Sequence, residues 1–282
     1  MSRGSCIWIF MAMLAMALPL RAEPGAGGRR IVVSIPPQKF LAQQIAGDLV
    51  NVQVMLEPGH APETFDPTPR HMAEVAGADF YFSIGVPFEK AWLPKIRQLG
   101  PDLRVVECCE QFARPADRSA GADDPHVWVS PMRFLRAAEL MRAALLSRDQ
   151  GKRGIYDQKY RTFSAELVML HRDLRYLLKD RRIDEFIISH GALGPLARDQ
   201  GLTQIALESG GKEVGPKFLA DITALARRLG IRTVFVLKQY NQGPARALAR
   251  ELNADVVEID PLAENYLDNM RAIGRLLGAA TR

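Results

Sequence analysis

The chain is 282 residues long, with 48% apolar and 24% charged residues, a balance typical of a globular protein and unlike a disordered or fibrous one. Its formal charge of +5 is too mild to argue for nucleic acid or a membrane surface as partner. Three cysteines, two of them the neighbours Cys108 and Cys109, give no disulfide framework, because adjacent cysteines close only a strained ring.

Residues 1–22, "MSRGSCIWIFMAMLAMALPLRA", begin with a basic Arg3, continue through an apolar stretch from Cys6 to Leu18 and end on a small residue, Ala22. That pattern reads as a cleavable secretory signal. The apolar stretch is short for a bilayer, and no later segment approaches the roughly 18 apolar residues of a spanning helix. Cys6 does not sit just before the cut, so a lipid-modified N-terminal cysteine is not expected. The reading is an exported protein with no direct membrane insertion, and loss of Arg3 and Arg21 takes the formal charge from +5 to +3. Residues 23–30 read as a loose leader.

Short β-branched or aromatic runs then alternate with helical patterns. The runs are "IVVSI" (31–35), "NVQVML" (51–56), "FYFSIG" (80–85) and "RVVEC" (104–108), and later "FIISH" (186–190), "TQIAL" (203–207), "TVFVL" (233–237) and "DVVEID" (255–260). Such alternation specifies βαβ units and parallel sheets. The expected fold is α/β: two α/β sandwich lobes with largely parallel sheets, over 31–150 and 183–282, joined by one long backbone helix in 151–182. Within that segment Tyr156, Tyr160, Phe163, Leu167, Leu170, Leu174 and Leu177 recur at spacings of four and three. They form the apolar stripe of one helix from about Gly154 to Lys179. A coiled-coil partner could use the stripe, but packing against the chain's own lobes is the simpler reading. A single rigid helix would restrict the lobes to a small closure.

In open α/β sheets ligands gather beyond the carboxyl ends of the strands. In the second lobe the polar residues standing there are His190, closing "FIISH", and Asp260, closing "VVEID". In the first lobe His126 opens "HVWVS" after the acidic "GADD", and the loop "EPGHAPETFDPTP" offers His60, Glu63 and Asp66. Imidazoles and carboxylates converging from separate loops suit a divalent transition metal, since each supplies a lone pair and the carboxylates offset charge. Blander roles stand beside these. Asp260, just before a last helix expected from Pro261, suits a helix N-cap equally well. His71 and His171 read as surface residues, Trp128 as core, Gln38 as a helix-start residue, and Glu208 and Glu213 as solvated carboxylates in a Gly-rich loop.

From about Ile31 onward the chain resembles the periplasmic solute-binding proteins of zinc and manganese ABC importers, the cluster A-I metal-binding family. The matching pieces are the "PG-x-x-P-x-x-F-D-P-T-P" frame (58–69), "ADFYFSIGVPFE" (78–89), "DPHVWVSP" (124–131), "SHGALGPLARDQGL" (189–202), "GKEVGPKFLADI" (211–222) and "ARELNADVVEIDPL" (249–262). The resemblance implies a monomeric periplasmic protein, not an enzyme, that carries zinc or manganese to a membrane ABC permease. It also implies metal ligation by His126, His190 and Asp260. Many members place a histidine where this chain has Glu63, so either Glu63 ligates in its place, His60 swings in, or water completes three protein ligands. The loop frame of Pro58, Gly59 and Pro62 favours Glu63. The His-rich loop that zinc-importing relatives often carry before the "DPH" motif is here "ARPADRSAGADD", without histidine. A secreted metal-dependent hydrolase and a same-fold binder of another small ligand remain as alternatives. The chain has no G-x-S-x-G elbow for the first and no Arg at the singled-out strand ends for an oxyanion.

Overall fold

A computed structural model describes residues 28–108, 124–209, 212–213 and 215–282. The signal peptide read over 1–22 and Cys109 lie outside the described residues. Four parallel strands, β1 (Arg29–Val33), β2 (Val50–Val54), β3 (Phe80–Ser83) and β4 (Arg104–Glu107), form the first sheet in the order β2-β1-β3-β4. The second sheet runs β10-β9-β5-β6, with β5 (Glu185–Ile188), β6 (Thr203–Ala206), β9 (Thr233–Leu237) and β10 (Asp255–Ile259). All pairs within the two sheets are parallel: Ile31 sits between Val52 and Phe80, and Ile187 between Ile205 and Val234. Strands covered on both faces need continuous apolar runs, and "IVV", "FYF", "FII" and "VFVL" supply them. A two-stranded antiparallel ribbon, β7 (Glu208–Ser209) with β8 (Lys212–Glu213), is an addition to the expected strands.

Proline sets most helix starts. Seven of the nine α-helices among the described residues carry Pro at the first or second position, where its missing N–H costs nothing and its φ is already helical. The helices are α1 (Pro36–Ala46), α2 (Pro69–Ala76), α3 (Pro87–Ile96), α4 (Pro131–Arg148), α5 (Arg153–Leu177), α6 (Gly194–Gln200), α7 (Pro216–Leu229), α8 (Gly243–Leu252) and α9 (Tyr266–Ala280). No helix among the described residues is long and apolar enough to cross a membrane. Gln38 starts α1 as expected: Oε1 accepts the Ser34 and Ile35 N–H groups, and Nε2 donates to Phe82 O at 3.1 Å, tying the β1 and β3 ends together.

Two local expectations change. "HVWVS" is not a strand but a 3-10 turn, Val127–Val129. The Val127 N–H folds back onto Pro125 O at 2.8 Å, and Ser130 caps α4 three residues later, so the segment has no room to extend. The last helix begins at Tyr266, not at Pro261, with a turn between.

The long helix α5 matches the expected span, and Tyr156, Phe163, Leu167, Leu170 and Leu174 of its stripe are buried. They pack on α1, α4 and α9 of the chain's own lobes, so no coiled-coil partner is called for. At roughly 1.5–3 kcal/mol per buried large side chain, this face alone is a substantial stabilisation. The main core is continuous from the first sheet through α5 to Phe235, Ile259, Tyr266 and Leu277 of the second lobe. A smaller cluster around Ile187, Ile222 and Val234 fills the far face of the second sheet. Polar bonds cross as well: Trp128 Nε1 donates to Pro261 O at 2.9 Å, Tyr266 Oη donates to Trp128 O at 2.7 Å, and Lys39 meets Glu264 at 3.0 Å. Cys108 is free and buried, and burial together with Glu89 pushes its thiol far above the usual range.

Candidate metal centre

Because all eight long strands point one way within their sheets, their carboxyl ends deliver loops to the gap between the lobes. Glu63 comes from the loop between β2 and α2, His126 from the residue before the 3-10 turn, and His190 from two residues past β5. One ligand atom from each of these three lies within 4.8 Å of the other two. Glu63 Oε1 is 3.5 Å from His190 Nε2 and 3.9 Å from His126 Nε2. The two imidazoles lie edge to face with centroids 5.3 Å apart.

The far edge of each ring is backed by a carboxylate. His126 Nδ1 lies 2.9 Å from Asp124 Oδ1, which also accepts the His126 backbone N–H at 3.1 Å. His190 Nδ1 faces Glu208 Oε1 at 3.6 Å. A carboxylate behind an imidazole fixes its tautomer and aims the other nitrogen at a metal. Asp124 is itself placed by Arg198 at 3.3 Å, and it lies so close to Gly194 that a Cβ there would collide with its Oδ2. Burial pushes the Asp124 carboxyl up, but the His126 ring and backbone N–H and the Arg198 charge outweigh it and hold it below the usual range.

Glu63 is held from the second lobe. Tyr240 Oη donates to its Oε2, and the Tyr240 ring stacks on His190 with centroids 4.0 Å apart and planes 14° apart. Burial raises the Glu63 carboxyl, yet the neighbouring His190, Tyr240 and His126 together leave it below the ordinary value. Burial and Glu63 drive the Tyr240 hydroxyl the other way, far above its usual range.

Asp260, the fourth expected ligand, stands outside the group of three. Its Oδ1 accepts from Gln239 Nε2 at 2.6 Å and from the Leu262 N–H at 2.9 Å, a local turn close to the capping role the sequence also allowed. His60 is exposed and lies edge-on to Phe65, lining a neighbouring cavity with Asp260, Gln239 and Lys238. Asp66 accepts from Trp92 Nε1 at 3.1 Å and takes no part.

Three sequence readings need correction. His71 is buried, not a surface residue: its Nδ1 accepts the Thr68 N–H at 3.1 Å and so caps α2, while Nε2 meets Glu57 at 3.5 Å. His171 is half-buried and paired with Gln200. Glu208 is not merely solvated, since the short β7–β8 ribbon turns it toward His190. Asp124 could have been read from its spacing two residues before His126. Tyr240 had no signal in the sequence, because only the folded lobes bring it to Glu63.

Both ring nitrogens of His190 are buried without a hydrogen-bond partner among the described residues. Buried polar groups are normally satisfied, and two imidazole nitrogens and a carboxylate oxygen converging on one point make a donor set for a divalent transition metal. Two parallel α/β lobes on one connecting helix, with these donors between them, define a metal-capturing solute-binding protein of the ABC-importer class. Residues 31–280 match the family described as ZnuA, zinc-uptake complex component A, periplasmic, and the chain belongs to that family.

A crystal structure of ZnuA superimposes with a TM-score of 0.85 at 30% identity, covering 90% of this chain and all of that one. A putative metal-binding protein of Chlamydia trachomatis is 26% identical over 253 residues, 87% of this chain and 89% of its own length. A mutant of a Mn-bound periplasmic metal binding protein from candidatus liberibacter asiaticus shares the fold, with a TM-score of 0.80 at 21% identity over 90% of this chain and all of that one.

Proposed function

We propose that the protein captures one divalent transition metal, zinc or manganese, between its lobes in the periplasm and hands it to a membrane ABC permease, acting as a monomer and as a carrier, not an enzyme. His126 and His190 supply Nε2, and Glu63 supplies Oε1. Asp260 is the fourth donor, joining once its carboxylate exchanges the Gln239 bond for the metal. The observation that carries this reading is the convergence of three ligand atoms within 4.8 Å, one of them on an imidazole whose nitrogens are buried without a hydrogen-bond partner among the described residues. Donors drawn from both lobes enclose a cargo, whereas a hydrolytic metal keeps a position open to substrate.

Competitive titration of metal-free, untagged protein with zinc and manganese tests the assignment. His190→Ala is expected to lose more than the roughly 100-fold that removal of an outer-shell partner can cost, and Asp260→Ala to weaken both metals. Folded His190→Ala and Asp260→Ala proteins that bind both metals like the parent would refute the site.

A further inference from the structure

We infer that Tyr240 is a specificity-determining positioning residue: by occupying one oxygen of Glu63 it holds that carboxylate to single-oxygen ligation and so tilts the site toward zinc. The inference deepens the metal-capture reading and rests on it.

The two oxygens of Glu63 have different surroundings. Oε1 points at the imidazoles, 3.5 Å from His190 Nε2 and 3.9 Å from His126 Nε2, whereas Oε2 accepts the Tyr240 hydroxyl. Tyr240 is restrained in turn. Its ring lies flat on His190 at 4.0 Å, and its backbone N–H donates to Leu237 O at 3.3 Å. Chelation through both oxygens would set the metal in competition with the Tyr240 hydroxyl for Oε2, and a polar group left unpaired in a buried site is costly.

Carboxylate denticity matters because the two candidate cargoes differ in coordination number. Zinc bound by nitrogen and oxygen favours four ligands in a tetrahedron, while manganese suits larger, oxygen-rich octahedral sets. A one-oxygen Glu63 beside two imidazoles keeps the donor count low. A two-oxygen Glu63 would add a donor and widen the site. The restraint also crosses the cleft, since Glu63 belongs to the first lobe and Tyr240 to the second. It therefore acts only when the lobes are together around the cargo.

Tyr240→Phe removes the hydroxyl and keeps the ring that packs on His190, so it isolates the bond. The full chain and this variant, both stripped of metal, are titrated competitively with zinc and manganese, and the cobalt(II)-loaded forms are compared by visible absorption. The zinc-to-manganese affinity ratio is expected to fall by about tenfold, with the intense absorption of four-coordinate cobalt giving way to the weaker bands of higher coordination. An unchanged ratio, or an equal loss for both metals with an unchanged cobalt spectrum, overturns the inference and leaves the metal-capture reading standing. A parent protein that binds neither metal overturns both.

Discussion

The two halves of the candidate site are equally buried but prepared differently. His126 and His190 are each 6% exposed. In the first lobe, His126 has its Nδ1 fixed by Asp124 at 2.9 Å and rests beside Trp128, which is itself bonded to Pro261 and Tyr266. In the second lobe, His190 has no hydrogen bond on either nitrogen among the described residues, and Glu208 stands off at 3.6 Å. One imidazole is held by a carboxylate, and the other, in the proposed site, leaves Nε2 for the metal. The difference implies a division of labour in which the first lobe fixes the geometry and metal binding completes the second lobe's contacts.

The strongest challenge to this contrast is Asp124→Asn. Loss of the carboxylate behind a metal-ligating imidazole should lower zinc affinity by about 10- to 100-fold, read by competitive titration, and a change below threefold would show that His126 needs no such support. The same variant tests acid sensitivity. The Asp124 carboxyl is held below its usual range in the folded protein, so its contribution to stability is complete above the unfolded carboxylate range and fades as pH falls through the depressed value. Metal-free Asp124→Asn protein should be less stable near neutral pH, and the gap should narrow on acidification. Denaturant melts at several pH values measure it.

A smaller effect is expected at the other imidazole. Glu208→Gln should weaken zinc binding by at most about tenfold, the lower end for a supporting partner, because its contact is long and its ribbon is short. If Glu208→Gln costs more than Asp124→Asn in the same titration, the second lobe is the more prepared half and the contrast is inverted.

The smallest change concerns the Glu63 loop. His60→Ala should alter zinc and manganese affinity by less than about tenfold, or about 1.4 kcal/mol, since His60 is exposed and turned toward Phe65. Glu63→His should raise zinc affinity relative to manganese, because imidazole replaces an oxygen donor. Isothermal titration of both variants with both metals decides it. Abolition of binding by His60→Ala, with binding kept in Glu63→Ala, would transfer the ligand to His60.

Much of this architecture was fixed locally, which is why the sequence alone reached it. Short β-branched or aromatic runs specified all eight strands of the two sheets, and the inner strands, covered on both faces, admit little but a continuous apolar run. The stripe from Tyr156 to Leu174 specified the long helix, because its spacing puts those residues on one face. His126, His190 and Glu63 were legible as polar residues at strand ends and in the proline-framed loop. The 3-10 turn at Val127–Val129 was not, since β-branched residues favour strands until neighbouring prolines and a capping serine leave no space for one. Nor could sequence choose between ligand and turn for Asp260, because that depends on Gln239, 21 residues away in the chain and 2.6 Å away in space. Tyr240 on Glu63, across 177 residues, was decided by the meeting of the lobes, and Glu208 behind His190 by the β7–β8 ribbon of the second lobe. Sequence pattern determines which faces of each element are buried, but which polar side chains then face one another across a cleft depends on how those buried faces pack.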